Sequence, residues 1–231
     1  MYKARSMAAG MAIGLAGLLN CYLGGGLQGS IAFGLGLLVV LALKLDLFTG
    51  KMRAWHDKDV NWKEMIIIFL GNGMGIFFMY GFGTALPGYP QIKETATAIM
   101  AARSELGVGF IFIRAMICGI CVQMAVDMWN KNWFAGNAHP FLAMLPATAF
   151  VLLGCNHCIA DLLYLFYSDA FNQGWQILEA IIGNIAGAML FVAANSNKRD
   201  DPANPLNKQN LFHQDRHNDK LNNASEPNSG S

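Results

Sequence analysis

The residues with the most chemical reach in this sequence lie in one short stretch, Gly154-Cys-Asn-His-Cys-Ile-Ala-Asp161. His157 carries an imidazole whose ordinary pKa of about 6.5 lies near ambient pH, which suits it to give, take or relay a proton. Asn156 and Asp161 add an amide and a carboxylate nearby. Yet from Asn132 to Ala160 the chain contains no Asp, Glu, Lys or Arg. An ionisable side chain this deep in an apolar run is costly and reads as functional rather than as a satisfied core histidine. Two C-x-x-C pairs, Cys118/Cys121 and Cys155/Cys158, offer a competing chemistry. Thiols at i and i+3 share a helix face, so the sulfurs could hold zinc or an iron–sulfur cluster in a membrane redox protein. Both pairs lie in apolar segments and no second histidine of that setting suggests a haem pair, so no metal, cofactor or catalytic group is expected.

The elements that must position these residues are membrane helices. Of 231 residues, 54% are hydrophobic and only 13% charged, against about a quarter charged in soluble domains. Ser6–Leu43 and Met65–Ile92 carry no charge at all, and charge-free apolar stretches of about 18 residues or more read as spans. A net charge of +1 gives no reason to expect nucleic acid as a partner. The five cysteines all lie in apolar segments, which argues against an extracellular disulfide framework. The start, with Lys3 and Arg5 ahead of an apolar run, resembles a signal peptide but is read as an uncleaved first helix because further spans come after it.

Six spanning units are expected. Helices fall at about 7–23, 64–85, 106–130 and 174–195. Unit 2 starts near Ser30 and is interrupted at Lys44-Leu45-Asp46, and unit 5 starts near His139 and is interrupted at the histidine stretch. Their leading parts hold about 15 residues, roughly 23 Å of helix, short of a ~30 Å hydrocarbon core. Each is followed by a helix of similar signature: Trp62 before Phe69–Gly75 (FLGNGMG), Trp175 before Ile181–Gly187 (IIGNIAG). The fold class is therefore all-α and integral to the membrane, with two three-span halves of opposite topology. Short broken segments at matching places in such halves point to a transport site. Lys3, Arg5, Lys51, Arg53, Lys58, Lys63 and Lys131 fall on one side, with Lys93 and Arg103 opposite, so both termini are expected in the cytoplasm. Residues 1–195 form the expected channel domain. The polar tail, 196–231, has five Lys/Arg and five Asp/Glu and is expected to lack a packed core.

Half-helix ends meeting in the membrane would favour an anion or a polar neutral solute. Around them the sequence supplies Thr49, Asn156, His157, Asp161 and Asn184. Phe150 precedes His157 by seven residues, and Phe33 and Leu37 are four apart, so each pair shares a face along a helix. With Leu47 and Phe48 they bracket the polar residues as apolar constrictions, although any one of them alone would be ordinary packing. Gly71/Gly75 and Gly183/Gly187 read as small-residue helix contacts. Asp127 reads as a cap or a pair at the interface, and Trp129 and Trp133 as interfacial aromatics.

Asp46–Met52 (DLFTGKM), Arg114–Trp129, Ala149–Asp161 (AFVLLGCNHCIAD) and Gly183–Gly187 (GNIAG) resemble signatures of the formate/nitrite transporter family. That resemblance implies an aquaporin-like fold, a homopentamer with one pore per protomer, and a small anion or weak acid as substrate: formate, nitrite, hydrosulfide, acetate or lactate. It makes His157 the central histidine, Thr49 the threonine opposite, and Asn184 the pore asparagine of the last helix. It makes Phe33 and Phe150 the outer constriction, and Leu37, Leu47 and Phe48 the inner one. Arg103 falls where the family has a lysine that adds positive potential. Gly119 stands where an asparagine is common, Asn156 where an acidic residue is usual, and Asp161 in place of an asparagine. Gly119 would widen the pore; a neutral-solute channel for water, glycerol or ammonia is the alternative that it favours.

A bare anion in an apolar slit faces tens of kcal/mol. Protonating a carboxylate of pKa about 4 at about pH 7 costs ~4 kcal/mol. The neutral acid is therefore expected to cross, with protons as the second partner and His157 as donor or relay.

Overall fold

The computed structural model describes residues 2–105, 107, 109–131 and 139–196. Two expectations, the tail and Trp133, lie outside the described residues. Met1–Val192 forms one compact unit; Ala193–Ser231 forms a second, of which only the end of the last helix is described.

Described residues form helices α1 Tyr2–Tyr22, α2 Gly26–Ala42, α3 Met52–His56, α4 Trp62–Thr84, α5 Tyr89–Ser104, α6 Phe110–Lys131, α7 His139–Leu152, α8 Cys158–Ser168 and α9 Trp175–Ser196. Single 3-10 turns lie at Thr49–Lys51 and Phe171–Gln173. Among them, three stretches are long and apolar enough to cross a membrane: Trp62–Thr84, Phe110–Asn130 and Phe171–Asn195. Apolar helices α2 and α8, and Pro140–Leu152 within α7, are shorter.

Local chemistry explains the start of α4. Asn61 begins α4 with a capping box: its side chain accepts from the N–H groups of Lys63 and Glu64, while the Glu64 carboxylate accepts from Asn61 N–H at 2.8 Å. One helix was not read from the sequence: α5 occupies a segment that the span pattern left as a connection. Its tyrosine, glutamine, lysine and glutamate dilute the apolar signal.

α1 packs along α4 and α2, α2 on α7, α7 on α6, and α8 on α4 and α5. Glycines set the closest approaches. A Cβ on Gly71 would meet the Ser6 side chain, and one on Gly75 the backbone of Met7 and Met11. On α9, Gly183 and Gly187 face Ala115 and Met116 of α6 in the same way. Outside this core, Leu70, Met74, Phe77, Leu178 and Ile182 are exposed. An apolar surface of that kind suits lipid or another subunit.

Candidate functional site

α2 and α7 end alike, at the places where the sequence predicts the two breaks. α2 ends with Lys44 in the left-handed conformation, φ 52°, and α7 ends with Gly154 at φ 66°. After α2, Lys44 N–H reaches Leu41 O and Leu45 N–H reaches Val40 O; after α7, Gly154 N–H reaches Val151 O and Cys155 N–H reaches Phe150 O. Both are Schellman ends, which turn the chain sharply out of the helix. An arginine then holds each turn from a neighbouring helix: Arg5 donates to Lys44 O, and Arg114 to Gly154 O at 2.5 Å.

An asparagine clamps the chain just beyond each turn. Asn184 Nδ2 donates to Asn156 O and Ala115 O, and its Oδ1 accepts Cys158 N–H at 2.9 Å. Asn72 does the same for the first break, donating to Asp46 O and Ser6 O and accepting Phe48 N–H at 2.8 Å. Both side chains are fully buried. Asn184 therefore orients the backbone of the break, with both amide hydrogens already engaged. Asn72 was missed as a site residue, although the matching GNGMG and GNIAG stretches carried its signal.

Between the breaks, His157 Nε2 lies 3.0 Å from Thr49 Oγ1. His157 is also the N-cap of α8: its Nδ1 accepts Ala160 N–H at 3.2 Å. The proton of the neutral ring accordingly belongs at Nε2, facing Thr49. Phe150 stacks on the imidazole with centroids 5.7 Å apart and planes at 12°, and Phe33 meets both rings edge-on. The heptad spacing of Phe150 and His157 is not the cause, because α7 stops at Leu152; the fold-back of the break brings them together.

A cavity opens on the α5 side of this pair, lined by Phe33, Phe150, His157, Arg103, Arg114 and Tyr164. Another opens on the α3 side, lined by Leu37, Leu47, Arg5, Lys44, Lys51 and Trp129. Phe48 lines neither. It packs edge-on against Phe69 at 5.2 Å, in a groove with Trp55, Ile181 and Ile185. Gly119 lines neither as well; a Cβ there would run into the backbone of Asn184 and Ala188, so its missing side chain lets α6 approach α9 and leaves no open space there.

Arg103 and Asp161 meet. Their Nη1 and Oδ1 atoms are 2.7 Å apart, with side chains 6% and 2% exposed. Asp161 also accepts from Asn156 Nδ2 at 3.1 Å and from His157 N–H at 3.3 Å. Arg103 therefore does not stand as a free cation. The α8 N–H groups at Cys158 and Ala160 are likewise already bound, by Asn184 and His157, and offer a solute less than the sequence suggested. Asp127 holds Arg53 through two bonds of 2.9 and 2.6 Å, tying α3 to α6. Of the two roles the sequence offered Asp127, a cap or a pair, this is the pair, with Arg53 as the partner that the sequence did not name.

The cysteines are free thiols. Among the described residues no group of three or more His, Cys, Asp or Glu is arranged to hold a metal ion, so the C-x-x-C reading finds no geometric support.

The family model for formate/nitrite transporters matches residues 1–196. The chain belongs to the formate/nitrite transporter family. Among solved structures it is similar to a pentameric formate channel with formate bound, at 21% identity and TM-score 0.67, covering 82% of this chain and 92% of that one. It is similar also to an FNT family ion channel, at 22% identity and TM-score 0.67, covering 84% and 88% respectively. A search of curated proteins found no match. At these identities the likeness speaks for the fold. With its apolar helices, this member of the formate/nitrite transporter family is an integral membrane protein.

Proposed function

We propose that the chain is a pore for small monovalent anions and their conjugate acids, with formate the foremost substrate and nitrite, hydrosulfide, acetate and lactate in the same class. The observation that carries this reading is the His157–Thr49 pair, 3.0 Å apart, with Phe33 and Phe150 at one vestibule and Leu37 and Leu47 at the other. A solute would leave water at either slit and find hydrogen-bonding groups only at the centre.

Charge supports an anion. Arg5, Lys44 and Lys51 line one vestibule, with Asp46 as the nearby carboxylate; Arg103 and Arg114 line the other, with Asp161. Each mouth thus keeps a net positive balance, which concentrates anions.

With its proton at Nε2, His157 donates to Thr49 Oγ1, and the Thr49 hydroxyl proton is free to meet a solute oxygen. Handing over a whole proton would require a second one on the ring, at Nδ1, which caps α8. We therefore assign the pair the task of holding the solute by hydrogen bonds. The neutralising proton comes from vestibule water, at ~4 kcal/mol for a carboxylate near pH 7, far below the tens of kcal/mol for a bare ion in the slit.

In this reading α1, α4, α6 and α9 each cross the membrane, and the pairs α2/α3 and α7/α8 each make one broken crossing. The like-built breaks support an inverted, aquaporin-like repeat of three plus three. The pentameric neighbour supports a homopentamer. Lys3, Arg5, Lys51, Arg53, Lys58 and Lys63 support cytoplasmic termini in a bacterial inner membrane, with 1–195 as the channel and 196–231 as a cytoplasmic tail.

Formate uptake into proteoliposomes tests the proposal. The wild type is expected to pass formate and nitrite faster than glycerol, and His157→Phe to lose at least ~10-fold of that flux, the worth of about 1.4 kcal/mol. Unchanged formate flux in a folded His157→Phe protein overturns the central role of the histidine.

A further inference from the structure

Among the described non-glycine residues, Lys44, Lys58 and Asp169 have positive φ. Lys58 and Asp169 lie in or beside turns at helix ends, and Asp169 is bound by Lys93 at 2.6 Å. Lys44 differs: it lines the α3-side vestibule. It occupies the C′ position of a Schellman end, which glycine fills at the equivalent break, at Gly154. A lysine there carries a Cβ in the left-handed region, where only glycine is at ease. A strained backbone choice at such a place points to a use for the side chain.

Its electrostatic setting shows what that use is. The other cations of this vestibule share one carboxylate: Asp46 sits 2.7 Å from Lys51 Nζ and 3.4 Å from Arg5 Nε. Lys44 is exposed, and its ammonium has no carboxylate partner among the described residues. Its carbonyl is held by Arg5, so the backbone is anchored while the side chain remains free. Lys44 is thus the one of these three cations without a carboxylate partner among the described residues, at the mouth leading to Leu37 and Leu47.

We propose that Lys44 is the anion-capturing residue of the α3-side vestibule, raising the local concentration of small monovalent anions ahead of the aliphatic closure. The lysine stands at a position whose backbone prefers glycine. This inference rests on the reading of the chain as an anion pore.

The test uses formate flux through the full chain in proteoliposomes, measured against formate concentration on the α3 side, at low and high concentrations of an impermeant salt. Lys44→Gly is expected to raise the half-saturating formate concentration roughly two- to five-fold at low salt, as loss of one mouth charge implies. Maximal flux is expected to stay, and the difference to fade at about 1 M salt, where the Debye length is about 3 Å. Lys44→Arg should match the wild type. The melting temperature of Lys44→Gly should equal or exceed that of the wild type, since glycine suits the backbone; a residue needed only for structure would move it down. Wild-type half-saturation in Lys44→Gly at low salt, a defect that persists at high salt, or a lowered melting temperature each overturns the inference. Wild-type vesicles that pass no formate or nitrite overturn the anion reading along with it.

Discussion

Arg103 and Asp161 form an ion pair of 2.7 Å with both side chains buried, one on α5 and the other in the first turn of α8. Removing one member leaves a buried charge without its partner, at a cost of about 3–5 kcal/mol, whereas removing both costs much less. Arg103→Met and Asp161→Asn should each lower the melting temperature sharply. The double variant should regain more than half of the loss, as read by thermal unfolding in detergent.

Asn72 and Asn184 make matching bonds at the two breaks, and each engages three backbone groups. Replacing either by alanine strands buried polar groups, each worth about 1–3 kcal/mol. Asn72→Ala should therefore destabilise the protein about as much as Asn184→Ala. Equal loss, measured by unfolding midpoints, would show Asn72 to be as structural as its counterpart; an unaffected Asn72→Ala would contradict the bonding described for the first break.

Thr49 contributes one hydroxyl to the centre, 3.0 Å from His157 Nε2. Thr49→Val keeps the shape and removes the oxygen, and Thr49→Ser does the converse. Formate flux should fall ~10-fold in the valine variant, the worth of one net hydrogen bond of about 1.4 kcal/mol, and stay near wild type in the serine variant. Comparing initial uptake rates of the two variants decides it.

Gly119 abuts the Asn184 carbonyl across the α6–α9 contact. Gly119→Ala should cost about 1–3 kcal/mol by overpacking, and Gly119→Asn at least as much. A Gly119→Asn protein as stable as wild type would mean that helix α9 can move aside at little cost.

Weak-acid flux should fall as pH rises, because the neutral form becomes scarcer above its pKa of about 4. Since the neutralising proton is assigned to vestibule water, His157→Asn should lower the flux while leaving the slope of this fall in place. A pH-independent residual flux in that variant would instead make the histidine the proton source.

The membrane character of the chain was legible in its sequence, because stretches such as Met65–Ile92 carry no charge and charge is what lipid excludes. The family was legible for a similar reason: signatures such as AFVLLGCNHCIAD survive as local strings of side chains, and the family match covers residues 1–196. Both chain reversals were legible, since Gly154 marks one and the charges of Lys44-Leu45-Asp46 interrupt unit 2 at the other, although glycine, the usual sign of such a turn, is missing there. Helix α5 was hidden by its mixed composition.

What the sequence by itself determined was which residue types are available and which of their runs avoid water. It nominated His157 and Thr49 separately, but they stand 108 positions apart, and nothing local requires them to meet at 3.0 Å. Tertiary structure alone decided that meeting, the pairing of Arg103 with Asp161, the turn of Phe48 toward Phe69, and the place of Gly119 at a helix contact. The reason is physical: periodicity reports the face on which a side chain lies, whereas partner choice depends on helix packing, and that is set by glycine contacts and asparagine clamps between segments far apart in the chain.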